Sequence, residues 1–190
     1  MSLSWNNLSS EIQNLFDFSQ YSRNEYIPAI QSAIASIYFD SVGQTEIDAL
    51  LSESQESGAS FEKIVFLYTA GDAVTLGPSN QPSNFVKIGP NPMFGFINDN
   101  GQFVQYTLVR ALFHELWHSI VKGNDTSYTF GSQNVSPNFL TGPTVEEENA
   151  FAMNYYGSRL EGSQRSSYLA GIPSFYAQKN VGNGAVATMQ

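Results

Sequence analysis

The sequence predicts an α+β domain on three observations: an early run of isoleucines at helical spacing, a middle third of short β-branched and aromatic runs cut by Gly and Pro, and a long amphipathic helix beyond them. Ile27, Ile30, Ile34 and Ile37 recur every three or four residues and set a helix over about Glu25 to Phe39, where Pro28 is acceptable because it falls in the first turn. Gly43 reads as its break. Thr45, with Asp48 three residues on, resembles a capping arrangement for a second short helix carrying Ile47, Leu50 and Leu51, and Ser52 to Ser60 reads as a polar loop. Lys63 to Thr69 is short and rich in β-branched and aromatic residues, which suits a buried strand that Gly71-Asp72 ends. After a Pro-bearing loop from Gly77 to Asn84, Phe85 to Ile88 reads as a strand, Gly89-Pro90-Asn91-Pro92 punctuates, and Met93 to Ile97 follows as a third strand. Asn98-Asp99-Asn100-Gly101 supplies the positive-φ residues of a tight turn.

From Val104 to Lys122 the apolar residues Val104, Leu108, Leu112, Leu116 and Ile120 step by four, a long helix that Gly123 is placed to terminate. Asn124 to Pro143 is polar and irregular. Thr144 then opens a helix to Tyr156 with Glu147 at the capping-box position, and a short helix is expected around Ser166 to Tyr176. Residues 1–180 read as a single domain and 181–190 as a flexible tail, with no internal repeat.

Composition narrows the chemistry. Of 190 residues, 17 are acidic and 8 are Lys or Arg, a net charge of -9, and the positive residues are scattered, so no basic patch exists to overcome repulsion by a phosphate backbone. Nucleic acid is excluded as a partner. Without cysteine, disulfides, thiolate catalysis and Cys-ligated metals are excluded too, and a metal must be held by His, Asp or Glu. No apolar run approaches the roughly 18 residues of a membrane span, and the amino terminus has neither a basic nor an apolar leader segment, so secretion would need a leaderless route or a signal elsewhere. No D-x-D-x-D-G run or glycine-rich nonapeptide repeat supports a calcium-binding surface domain.

The only two histidines fall in His114-Glu115-Leu116-Trp117-His118, an HExxH motif inside the long helix. Four residues are about 1.1 turns, so both imidazoles leave one helix face about 6 Å apart, the spacing that grips one zinc ion. Glu115 then stands beside the metal as general base. Leu108, Leu112, Leu116 and Ile120 form a different, core-facing stripe, which leaves the histidine face for a cleft. A catalytic zinc needs a third protein ligand. With Val121 and Asn124 where an extended HExxHxxGxxH motif would put Gly and His, that ligand must be a carboxylate, and Glu146-Glu147-Glu148 at the start of the next helix is the obvious supply. Acidic residues also favour a helix N-terminus through its dipole, so three glutamates there have a second reading.

Leu112-Phe113-His114-Glu115-Leu116-Trp117-His118-Ser119, a polar loop, and then Thr144-Val145-Glu146-Glu147-Glu148-Asn149-Ala150 resemble the zincin metallopeptidases that use glutamate as third ligand. The layout is most similar to the NleD-like effector and toxin peptidases of bacteria, which pair HELxH with a later EExxA-like helix, and it spans Val104 to Arg159. The resemblance implies a zincin-like fold with one Zn2+ per chain on His114, His118 and Glu147, Glu115 as catalytic base, a peptide or protein substrate, and a secreted or delivered bacterial protein. It also implies an electrophile for the oxyanion, for which Tyr128, Tyr155 and Tyr156 are candidates, a residue such as Asn154 or Asp125 orienting a ligand imidazole, and an edge strand, here Met93 to Ile97, that pairs with extended substrate. Phe113 and Trp117 read as packing residues, and Asp72 as part of a turn. The rival function is a zincin-like binding module without turnover.

Overall fold

The structure, a computed structural model, describes residues 4–56, 59, 62–70, 74–76, 84–92, 94–98, 100–120, 143–165 and 171–173. Among the described residues it is a mixed helix and sheet fold in which five α-helices pack with two small sheets. A short amino-terminal helix, α1 (Ser10–Asn14), is capped by Ser9, whose hydroxyl accepts from the Ile12 amide, and it runs directly into β1 (Phe16–Asp17). Next come α2 (Ile27–Tyr38) and α3 (Ser41–Gln55), where Ile30, Ile34 and Ile37 of the α2 stripe are fully buried and Ile27 is half-buried.

Gly43 is not the break the sequence suggested. Asp40 caps α3, its Oδ1 accepting from the Val42 and Gly43 amides, and Gly43 lies in the first turn pressed against α2. A Cβ there would stand 2.2 Å from the Ile37 carbonyl oxygen, so glycine is what lets the two helices meet. The helix also runs through Ser52 to Gln55, which read as loop.

One sheet has the strand order β1-β2-β4-β3, with β2 (Ile64–Tyr68) parallel to both β1 and β4 (Phe85–Ile88), and β3 (Val74–Leu76) antiparallel to β4 at the edge. A second, antiparallel sheet has the order β6-β5-β7, formed by β5 (Phe94–Ile97), β6 (Phe103–Gln105) and β7 (Gly171–Pro173). This corrects three expectations. Val104 faces the core from β6 rather than opening the long helix, which starts only after Thr107 accepts a hydrogen bond from the Arg110 amide. Gly171 to Pro173, expected within a helix, is a strand. Because β7 takes the second edge of β5, the strand expected to receive substrate lies between two partners.

The HExxH segment lies on α4 (Leu108–Ile120) and the three glutamates on α5 (Pro143–Tyr156). Buried side chains from α2, α3, both sheets, α4 and α5 join in one core around Ile34, Leu50, Phe66, Phe96, Leu112 and Phe151. No helix among the described residues is long and apolar enough to cross a membrane.

Glu46 sits on the buried side of α3, where burial first, and then the charge of Glu147 on α5, push its carboxyl up to about 7. A raised carboxyl pKa means that the folded chain keeps a proton the unfolded chain has lost, so stability falls as pH rises from about 4.5 to about 7 and stays lower above that. Glu46→Gln should remove this slope and raise stability at pH 8 by about 1–2 kcal/mol, read from urea unfolding at pH 5.5 and pH 8. An unchanged pH slope in the variant would assign it to other groups.

Candidate metal centre on the paired helices

Helices α4 and α5 run antiparallel. Thr107 meets Tyr156 in a hydroxyl-hydroxyl hydrogen bond, Arg110 reaches Asn149 and Glu148, the rings of Phe113 and Phe151 stack 4.1 Å apart, and His114 reaches Glu148. From Thr107 to His114 the partners move from Tyr156 at the end of α5 back to Glu148 near its start. The arrangement follows from each helix carrying polar residues on the face it turns to the other, with the Leu112 and Leu116 stripe directed into the core.

The residue that organises this seam is Glu148, fully buried. Its Oε1 accepts from Arg110 Nε at 2.6 Å, its Oε2 from His114 Nδ1 at 2.8 Å, and the Tyr106 hydroxyl donates to it at 3.0 Å. Arg165 adds a longer contact at 3.5 Å and donates to the Tyr106 hydroxyl at 2.8 Å. Burial would raise the Glu148 carboxyl, but the Arg110 guanidinium, the His114 hydrogen bond and Arg165 outweigh it and bring it down to about 2. Tyr106 is pushed well above the usual tyrosine range, by burial first and then by the Glu148 charge.

Arg110 is itself 0% exposed. Beyond Glu148 it donates to the carbonyls of Glu161 and Ser163 and to Asn149, and it lies 4.3 Å over the Phe96 ring of β5. The buried charge is therefore both paired and hydrogen-bonded, the condition under which a protein interior tolerates it.

This network fixes the histidine pair. With a carboxylate accepting at Nδ1, a neutral His114 carries its proton there, which makes Nε2 the acceptor nitrogen of the ring. That atom lies 3.2 Å from His118 Nε2, with the two rings nearly perpendicular. Two nitrogens held about 2.0–2.1 Å from one tetrahedral zinc would be about 3.3 Å apart, so the pair fits a zinc ion. Among the described residues no third His, Asp or Glu stands with them as a metal-holding group.

His114 is buried and His118 is half-buried, so the histidine face is partly covered by α5 rather than open along its length. Glu115 is buried beside them. The structure puts Glu148, not Glu147, on a histidine. Glu147 is half-buried one residue away, where its charge acts on Glu46, and Glu146 is exposed. Glu148 is thus no dipole charge at a solvated helix end. Thr144 does not cap α5 either, since it lies inside the helix, buried, with its hydroxyl unpartnered.

Asn154 donates to Asp40 and Ser41 at the start of α3, so it does not orient an imidazole; Glu148 does. The Tyr156 hydroxyl is tied to Thr107, Tyr155 stacks on Phe151, and Phe113 packs in the core. Asp72, Asp125 and Tyr128 lie outside the described residues. The groups that sequence reasoning missed are Tyr106, Arg110, Arg165 and the orienting role of Glu148. One signal was present: Arg110 is one turn before His114 and shares its helix face, and a buried arginine there demands a carboxylate from the neighbouring helix. No protein family, curated protein or solved structure matches this chain.

Proposed function

We propose that the chain is a zinc-dependent peptidase of the zincin type, and the observation that carries the reading is the convergence of the His114 and His118 Nε2 atoms at 3.2 Å while Glu148 holds His114 Nδ1. His114 and His118 would hold the ion, one per chain. Glu147 is proposed as the third donor on the resemblance, since Glu148 is committed to His114 and Arg110 and Glu146 is exposed. When bound, zinc supplies a water of near-neutral pKa and polarises the scissile carbonyl.

The chain's own residues do the rest. Glu115, shielded from bulk solvent next to His114, takes the proton of the attacking water and returns it to the departing amine. Glu148, anchored by Arg110, keeps the His114 ring from turning and fixes its tautomer. The edge strand packed against α4 is β3, antiparallel to its neighbour, and it takes over from β5 as the proposed partner of an extended substrate.

A mixture of unstructured peptides followed by mass spectrometry tests the reading: cleavage should occur with zinc, stop with chelator and return on adding zinc back. Zinc uptake with no cleavage would favour the rival, a binding module with a structural metal. One observation favours that rival: the seam covers His114 to 8% exposure, which leaves less room for a cleft than the histidine spacing alone suggests.

A further inference from the structure

Beyond α5 the chain turns back across the seam of α4 and α5 as residues 157–165, by way of a short 3-10 helix (Leu160–Gly162). It is fastened there from three sides. Arg110 of α4 donates from Nη1 to the carbonyls of Glu161 and Ser163, both at 2.8 Å. Asn149 of α5 pairs with the Arg165 backbone as a strand would, accepting from its amide at 2.7 Å and donating to its carbonyl at 2.9 Å, and Asn98, just past β5, bridges Arg165 in antiparallel sense. Gly162 is pressed against the end of α5, where a Cβ would stand 2.3 Å from the Gly157 carbonyl oxygen, so glycine lets the return close tightly. What the segment delivers to the seam is the Arg165 side chain, a residue only 5% exposed.

One nitrogen of that side chain serves two partners: Nη1 donates to the Tyr106 hydroxyl oxygen at 2.8 Å and reaches Glu148 Oε2 at 3.5 Å. The proton directions follow from the groups themselves. A guanidinium has only donors and an ionised carboxylate only acceptors, so Tyr106 takes a hydrogen from Arg165 and gives its own to Glu148. Arg110 grips the other oxygen, Oε1, and a carboxyl gripped at one oxygen can still pivot, because the last torsion of a glutamate side chain is broad. Any pivot would carry with it the imidazole whose Nδ1 lies 2.8 Å from Oε2. Arg165 and Tyr106 act on that second oxygen.

We propose that Arg165 is a positioning residue for His114: directly and through the Tyr106 hydroxyl it stops the Glu148 carboxylate from turning, and so keeps the His114 proton on Nδ1 and the ring in its ligand orientation. For its consequence on metal the proposal rests on the zinc reading above; for its consequence on His114 it does not. Arg165 lies beyond Arg159, where the zincin resemblance ends, so the role comes from the contacts of this chain alone.

Arg165→Met keeps a long side chain and removes the charge and the donors. Arg165→Lys supplies a single donor nitrogen, which suffices because Nη1 alone makes both contacts. Tyr106→Phe cuts the relay with every charge in place, and it answers the question if Arg165→Met fails to fold. Zinc affinity of the full-length chain is measured by chelator competition, and the tautomer of neutral His114 is read by 15N NMR of metal-stripped protein at about pH 8, above the usual histidine pKa. Wild type should show the proton on Nδ1. Arg165→Met and Tyr106→Phe should show the Nε2 tautomer beside it and lose about 10-fold to 100-fold in zinc affinity, the range for outer-shell partners of a metal site. Arg165→Lys should hold the wild-type tautomer and stay within about threefold of wild-type affinity, since its one ammonium donates as Nη1 does.

A wild-type tautomer and wild-type zinc affinity in both Arg165→Met and Tyr106→Phe overturn the proposal. So does an equal loss in Arg165→Met and Arg165→Lys, because the guanidinium shape rather than the donated hydrogen bond would then be what matters. If wild type takes up no zinc, the zinc reading fails, whereas the Arg165 role stands or falls on the tautomers of the metal-stripped proteins.

Discussion

Glu148→Ala should destabilise the metal-free protein by about 3–5 kcal/mol, the cost of stripping the carboxylate from a buried ion pair. The size follows from what the substitution leaves behind: Arg110 with no exposure and Arg165 nearly as deep, both facing a cavity where their counter-charge stood. The backbone carbonyls of Glu161 and Ser163 would still accept from Arg110, but they carry no charge. For a domain whose whole stability is of the order of 5–15 kcal/mol, such a loss brings the chain close to unfolding. Glu148→Gln preserves shape and one acceptor and should cost less, while still weakening zinc binding by about 10-fold to 100-fold through a loosened His114. Urea unfolding of the stripped variants measures the first effect. A loss under about 1 kcal/mol for Glu148→Ala, the scale of an exposed ion pair, would contradict the buried network.

Glu115→Gln should lower peptide turnover by about 10^2-fold to 10^4-fold while zinc content stays near wild type, because a general base moves the proton without holding the ion. The isosteric amide keeps the volume of a residue buried on α4, so folding should survive. Rates from a cleaved peptide, set beside elemental zinc analysis of the same samples, separate the two quantities. Lost zinc with retained turnover would reverse the assignment of roles on this helix.

The legible parts of the fold are those where a single helix face repeats often enough to declare itself. The isoleucines of α2 and the leucines of α4 did so: Ile30, Ile34, Ile37, Leu112 and Leu116 are buried, and Ile27 and Leu108 are half-buried against them. Short elements were harder, because a strand of three or four residues leaves little pattern: β3 and β7 escaped, and β6 was absorbed into the α4 repeat since Val104 falls four residues before Leu108. Gly43 illustrates another limit. A glycine needed for close helix contact looks in sequence like one that ends a helix.

The site was legible in its motif and not in its second layer. His114, Glu115 and His118 follow from spacing on one helix, but the choice among Glu146, Glu147 and Glu148 depends on how α5 is rotated against α4. In a run of three acids no period reveals that rotation. The Arg110 stripe was the available clue, and it selects Glu148 as the buried partner. The further donors, Tyr106 and Arg165, come from 42 residues before Glu148 and 17 after it, distances over which only tertiary packing brings side chains together.

The proposed zinc site is a pair of histidines, His114 and His118, of which His114 is held by the buried Glu148 carboxylate. Elemental analysis of protein equilibrated with zinc and freed of loose metal by gel filtration tests it most directly, on wild type and on His114→Ala. Wild type should hold about one zinc per chain and the variant little, because removing one of two imidazoles leaves too few donors to retain the ion. Wild-type protein that emerges without zinc, or a His114→Ala variant that keeps a full equivalent, would contradict it.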